Sequence, residues 1–124
     1  MSQTAGRGAS FRVQFDPRVL AEDSDHSTEK GRSVMDKAVR DFEERGIPAS
    51  ELRACEDPGP DGTRLPGCVK TYLPPPVGSW GMVFELRITD KRPFLAFLAF
   101  GVRHPTKRWQ PSVYQVADRR LHGS

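Results

Sequence analysis

Trp80-Gly81-Met82-Val83-Phe84-Glu85-Leu86-Arg87-Ile88 sets Trp80, Met82, Phe84, Leu86 and Ile88 on one side of an extended chain, with Glu85 and Arg87 on the other. Side chains of a strand alternate between faces, so this period of two predicts a strand with one face packed on a core. After a turn over Thr89–Pro93 comes Phe94-Leu95-Ala96-Phe97-Leu98-Ala99-Phe100, which has no polar residue on either face. A strand apolar on both sides must be covered on both sides, and it reads as the centre of a sheet. Gly101 lets the chain bend as it leaves.

Working towards the N-terminus, Cys68–Leu73 alternates, with Val69, Thr71 and Leu73 on one face and Lys70 and Tyr72 on the other, and Pro74-Pro75-Pro76 then blocks further ladder bonding. Glu56–Gly67, rich in Pro and Gly with a turn at Asp61-Gly62, reads as a surface loop after a short helical turn at Ser50–Ala54. Phe11-Arg12-Val13-Gln14-Phe15 alternates as a strand that Asp16-Pro17 ends. Val19 and Leu20 follow, and Val34, Met35, Ala38, Val39 and Phe42 then share one helical face that Gly46-Ile47-Pro48 stops. Ser33 and Asp36 resemble a capping box for that helix, with Ser27 and Thr28 as alternative starts and Gly31 as a weak point. On the C-terminal side, Ser112 and Gln115 form a second capping box, opening a short helix with Val116, Ala117 and Leu121 inside.

The expectation is an α+β fold: a small, antiparallel-dominated sheet with an N-terminal helix packed on it and a short C-terminal helix. Residues 1–10 are expected as a disordered tail and 11–122 as a single domain, in keeping with a length of 124 residues. The Phe94–Phe100 run is far short of the roughly 20 residues that cross a bilayer. Met1–Ser10 lacks the apolar stretch of a signal peptide, so a cytoplasmic location is expected, and with it reduced thiols at Cys55 and Cys68. His26, His104 and His122 form no local metal motif, and neither a metal nor another cofactor is expected. Residues 1–60 hold nine Lys and Arg against twelve Asp and Glu, whereas residues 61–124 hold ten against four. The basic second half is the face expected to meet an anionic partner.

Three short motifs occur in order on these elements: Pro66-Gly67-Cys68-Val69-Lys70 on a strand, Gly101-Val102-Arg103 after the last strand, and Val113-Tyr114 opening the final helix. In that order they resemble the RelE/ParE toxin superfamily, over Leu65–Leu121. The N-terminal half agrees in plan, a Phe-x-Val-x-Phe-Asp-Pro strand followed by helix. The resemblance implies a toxin held silent by a cognate antitoxin protein. Such a toxin is either a RelE-like, ribosome-dependent mRNA endonuclease or a ParE-like protein that inhibits DNA gyrase. A catalytically inactive, toxin-derived interaction domain is a third possibility. Two positions depart from the RelE pattern: Tyr72 stands where a second basic residue is usual, and Gly81 follows Trp80 where an arginine is usual.

Cleaving RNA without a metal needs a base for the 2′-OH, positive charge on the phosphate and an acid for the leaving 5′-oxygen. Arg103 offers a fork for a phosphate and Lys70 a second cation, although each is equally the kind of residue that sits solvated at a surface. His104 belongs to the residue type whose ordinary titration range suits proton transfer, and Tyr114 offers a hydroxyl or a stacking ring; exposure and core packing are their structural alternatives. Tyr72, Lys107, Arg108 and Trp109 add aromatic rings beside cations, a composition suited to single-stranded nucleic acid, with Trp109 also able to cover the core. Catalytic roles thus fall to Lys70, Arg103, His104 and Tyr114, and nucleic-acid contacts to the other four.

Overall fold

A computed structural model describes residues 10–25, 27–73 and 80–123. Residues 1–9 of the expected tail and the triple proline lie outside them, and Ser10 already belongs to the first strand. The order is β1 (Ser10–Gln14), α1 (Pro17–Asp25), α2 (Glu29–Arg45), β2 (Ile47–Pro48), a 3-10 turn (Ala49–Glu51), β3 (Arg53–Ala54), β4 (Cys68–Tyr72), β5 (Trp80–Thr89), β6 (Arg92–Val102) and α3 (Val113–Leu121). The strands form one sheet in the order β2-β1-β6-β5-β4-β3, antiparallel throughout except for the parallel β1–β6 pair. The fold is α+β, with two N-terminal helices where the sequence suggested one.

The extra helix, α1, has a local cause. Asp16 accepts from the Arg18 backbone N–H at 2.9 Å and Pro17 occupies the first helical position, which makes Asp16-Pro17 a helix start as well as a strand end. The next helix starts at Thr28, whose hydroxyl accepts from the Gly31 N–H at 3.0 Å, rather than at Ser33. Gly31 is where a Cβ would stand 2.6 Å from the Trp80 ring, so this glycine admits the indole against the helix backbone. Gly46 closes α2 at φ 73°, its N–H donating to the Phe42 carbonyl at 2.8 Å.

Phe94–Phe100 is buried along its whole length, as a strand covered on both faces must be. Its register contains one surprise. Val83 pairs with Ala99 but Phe84 with Phe97, leaving Leu98 as an extra residue in β6. That bulge lets Leu95, Phe97 and Phe100 enter one core with Met35, Met82 and Phe84, while Leu98 and Ala99 enter a second with Val83, Val113 and Ala117. Strict alternation would have put Phe97 and Phe100 on opposite faces.

The ladder to β1 covers β6 only from Phe94 to Ala96. Beyond it, side chains do the work of a missing strand. Phe100 N–H donates to Asp23 at 2.8 Å and the Leu98 carbonyl accepts from Arg120 at 2.8 Å, while Arg120 and Asp23 pair at 2.7 and 3.0 Å. This ion pair ties α1 and α3 to the bulged edge.

The expected buried face of β5 ends sooner than its sequence suggests, because β4 pairs with β5 only from Gly81 to Glu85 and the hairpin runs on past it. Leu86 is 42% and Ile88 71% exposed. The hairpin turns over two residues, Asp90 and Lys91, both at positive φ, the pattern of the tight turn that matches strand twist.

Candidate functional site

At the end of the sheet opposite the Asp90-Lys91 turn, the register brings Tyr72 of β4, Gly81 of β5 and Gly101 of β6 into one row. Arg103 leaves β6 two residues later and folds back over this row. Its Cγ and Cδ would lie 3.2 and 3.3 Å from a Cβ built on Gly81, so the arginine stem uses the space that any other residue would fill. The guanidinium carbon lies 3.6 Å from the centroid of the Tyr72 ring, and Nε donates to the Tyr114 hydroxyl at 3.4 Å. Lys70 Nζ stands 5.0 Å from the Tyr114 ring and 5.7 Å from the Tyr72 ring. Tyr72 and Gly81 are therefore linked: the tyrosine ring carries the guanidinium, and the glycine makes room for its stem.

Lys70, Tyr72, Arg103 and Tyr114 line a cleft of about 630 Å³. Lys70, Tyr72, Arg103, His104, Lys107, Arg108 and Tyr114 all line it, so β4, the loop after β6 and the start of α3 converge there. Trp109 does not. It is 76% exposed, with Lys107 Nζ 5.4 Å from its ring, and it borders an adjacent depression shared with Asp61 and Arg119.

Three contributors were not visible in the sequence reading. Arg53, opposite Lys70 in the β3–β4 ladder, lies 5.5 Å from the Tyr72 ring. Glu56 and Asp61 give the cleft an acidic wall. The loop that carries them is well braced: Asp61 accepts from Thr63 at 3.0 Å and from the helix-capping Ser112 at 3.5 Å, and Asp57 and Asp118 hold Arg64 at 2.8 and 3.0 Å. A charged loop opposite a basic strand is a signal only once the β3–β4 register is known.

The placement of α3 decides where Tyr114 points. Ser112 and Gln115 form the expected capping box, each side chain bonded to the other's backbone N–H at 3.1 and 2.9 Å. Val113 and Ala117 are then buried against the sheet, which turns Tyr114 towards the cleft.

Burial works to lower the Arg103 pKa, and hydrogen bonds and attraction to the Tyr114 and Tyr72 hydroxyls outweigh it, leaving the group above its ordinary value and fully charged. Cys55 also lines the cleft, and burial pushes its thiol up to about 11 against the pull of Lys70. Cys68 is pushed up to about 12, mainly by burial. At neutral pH both are thiols, which are poor nucleophiles. Among the described residues no three His, Cys, Asp or Glu side chains converge as metal ligands, and no helix is long and apolar enough to cross a membrane.

No family model and no curated protein matches the sequence. Among solved structures, that of an arginine double mutant of E. coli toxin RelE in the free state is similar over 90% of this chain and 98% of that one. The two share 20% sequence identity with a TM-score of 0.48. The likeness is loose, and the chemistry of the cleft stands on its own residues.

Proposed function

We propose that the cleft binds RNA and cleaves it without a metal, in a toxin that acts on mRNA at the ribosome and is silenced by a cognate antitoxin protein. The observation that carries this reading is the cluster of Arg103 on Tyr72, bonded to Tyr114, with Lys70 alongside. A guanidinium stacked on a ring stays charged, and its planar fork matches the oxygens of a phosphate. Arg103 and Lys70 then stabilise the phosphorane as the 2′-oxygen attacks, and His104 and Tyr114 carry protons to and from the oxygens. Lys107 and Arg108 extend the cationic wall along the strand, and exposed Trp109 offers a ring to a base outside the cleft. Tyr72 contributes chiefly by orienting Arg103.

The test is induced expression with mapping of mRNA ends, followed by cleavage assays on purified ribosomes. Attack by the 2′-oxygen leaves a cyclic phosphate and a 5′-hydroxyl, so 5′-phosphate ends would sink the mechanism. Arg103→Ala should lower cleavage about 100-fold, the scale of one lost oxyanion donor. One observation favours a second reading: Tyr72 and Gly81 stand where RelE-type enzymes have cations, as suits a ParE-like inhibitor of DNA gyrase or an inactive interaction domain. Growth arrest with DNA damage, intact mRNA and indifference to Arg103→Ala would move the assignment there.

A further inference from the structure

Cys55 and Cys68 flank the loop that forms the acidic wall, and the sheet holds them face to face. The register sets Arg53 opposite Lys70 and Ala54 opposite Val69, so the next pair is Cys55 and Cys68. Cys55 N–H donates to the Cys68 carbonyl at 3.0 Å, continuing the ladder. Opposed residues of antiparallel strands project from the same face with Cα atoms about 4.5–5.5 Å apart, inside the roughly 4.4–6.8 Å that a disulfide spans. Both side chains pack in the same core cluster, beside Leu65 and Val83. Both are free thiols.

Their access differs. Cys68 is 4% exposed, whereas Cys55 is half-buried and lines the cleft with Lys70 and Arg103. A reagent can therefore reach Cys55 first, and one carrying negative charge is drawn in by the cationic wall.

We propose that Cys55 and Cys68 form a reversible dithiol–disulfide site, reached through the cleft and oxidised by anionic low-molecular-weight disulfides of the oxidised-glutathione class. The Cys55 sulfur, having lost its proton, attacks one sulfur of the reagent; the reagent's S–S bond breaks and one small thiol leaves, taking up a proton. Cys68 then loses its proton and its sulfur displaces the second small thiol from Cys55. The protein gives up two protons and two electrons, and the reagent takes up both to become two thiols. Because both groups are thiols at neutral pH, the reaction is slow there and speeds up about tenfold per pH unit while the attacking thiolate remains scarce. Closure fastens the two ends of the loop that carries Glu56 and Asp61.

The experiment incubates the whole protein in mixtures of reduced and oxidised glutathione at pH 8 and reads intact mass, peptide maps and melting temperature. The expected product is monomeric, lighter by two hydrogens, with the Cys55 and Cys68 peptides joined and a melting temperature higher by about 10 °C. Reductant should reverse all three changes. Cys55→Ser and Cys68→Ala, shown by circular dichroism to be folded, should lose the mass change and the melting shift together. At low salt the rate should exceed that with cystamine, a cationic disulfide, and the advantage should shrink in high salt. A persistent glutathione adduct without closure, disulfide-linked dimers, or unmodified thiols after equilibration would each overturn the proposal. None of these readouts involves RNA, so the result stands apart from the proposed nuclease activity.

Discussion

Two arginines flank β6, and they are held in opposite ways. Arg120, 18% exposed, sits among Asp23, Glu22 and the Leu98 carbonyl, and its partner Asp23 is only 6% exposed. Arg103 is held by the face of Tyr72 and the hydroxyl of Tyr114. A carboxylate cancels a cation; an aromatic face orients it and leaves its charge in place. The first arrangement belongs to the architecture, where the bulged edge needs its backbone groups satisfied. The second suits a site that must meet an anion. The same residue type in the same half of the chain is thus held by carboxylates in one place and against aromatic rings in the other.

Breaking the first arrangement should cost most. Arg120→Ala leaves Asp23 buried without its counter-charge, and urea unfolding should show a loss of about 3–5 kcal/mol. Replacing Asp23 and Arg120 together by alanine should cost less than the sum of the single losses, which a double-mutant cycle will read. Arg103→Ala should change stability by no more than about 1 kcal/mol while cutting RNA cleavage about 100-fold, so equal effects of the two arginine variants on unfolding would erase the contrast. A subtler change is Gly81→Ala. Its new methyl would press on the Arg103 stem and the Thr71 carbonyl at 3.2–3.3 Å, lifting the guanidinium off Tyr72. We expect roughly a tenfold drop in RNA affinity, the scale of one weakened cation–π contact, with the fold retained by circular dichroism. The smallest effect concerns how dry the cleft wall is. With its thiol raised from 9.0 to about 11, Cys55 carries about one-hundredth the thiolate of an unperturbed cysteine at pH 8. Iodoacetamide should modify it about 100-fold more slowly, gaining tenfold per pH unit as the solution becomes more alkaline; reaction at the free-cysteine rate would mean the wall is open to water.

The sheet's centre was legible because burial on both faces leaves no polar residue anywhere in Phe94–Phe100, and the helix cap at Ser112 because its partner lies only three residues on. Other features depend on distant partners. Asp23 looks like a surface acid until Arg120, 97 positions away, and the Phe100 N–H are brought to it. The bulge at Leu98 leaves no mark in a run apolar throughout. The start of α1 is encoded in Asp16-Pro17, a pair that ends a strand equally well. Lys70, Arg103, His104 and Tyr114, each singled out in the sequence, line one cleft. Glu56 and Asp61, which line it through loop bracing, and Arg53, which reaches the Tyr72 ring through pairing at the sheet's edge, carry no such local mark.

The parallel ladder of β1 against β6 also sets an order of events in time. β5 and β6 are joined by two residues and pair along nearly their whole length, so they can zip together soon after both exist. Arg12, by contrast, must find Phe94 across 82 positions of chain, closing a long loop before any contact rewards it. During synthesis α2 therefore leaves the ribosome with Met35, Ala38 and Phe42 uncovered, waiting for the strands that will receive them. In refolding experiments, fluorescence of Trp80 against Phe100 and α2 should report the late docking step, and a chain truncated before β6 should expose that helix face as a binding surface for hydrophobic dyes.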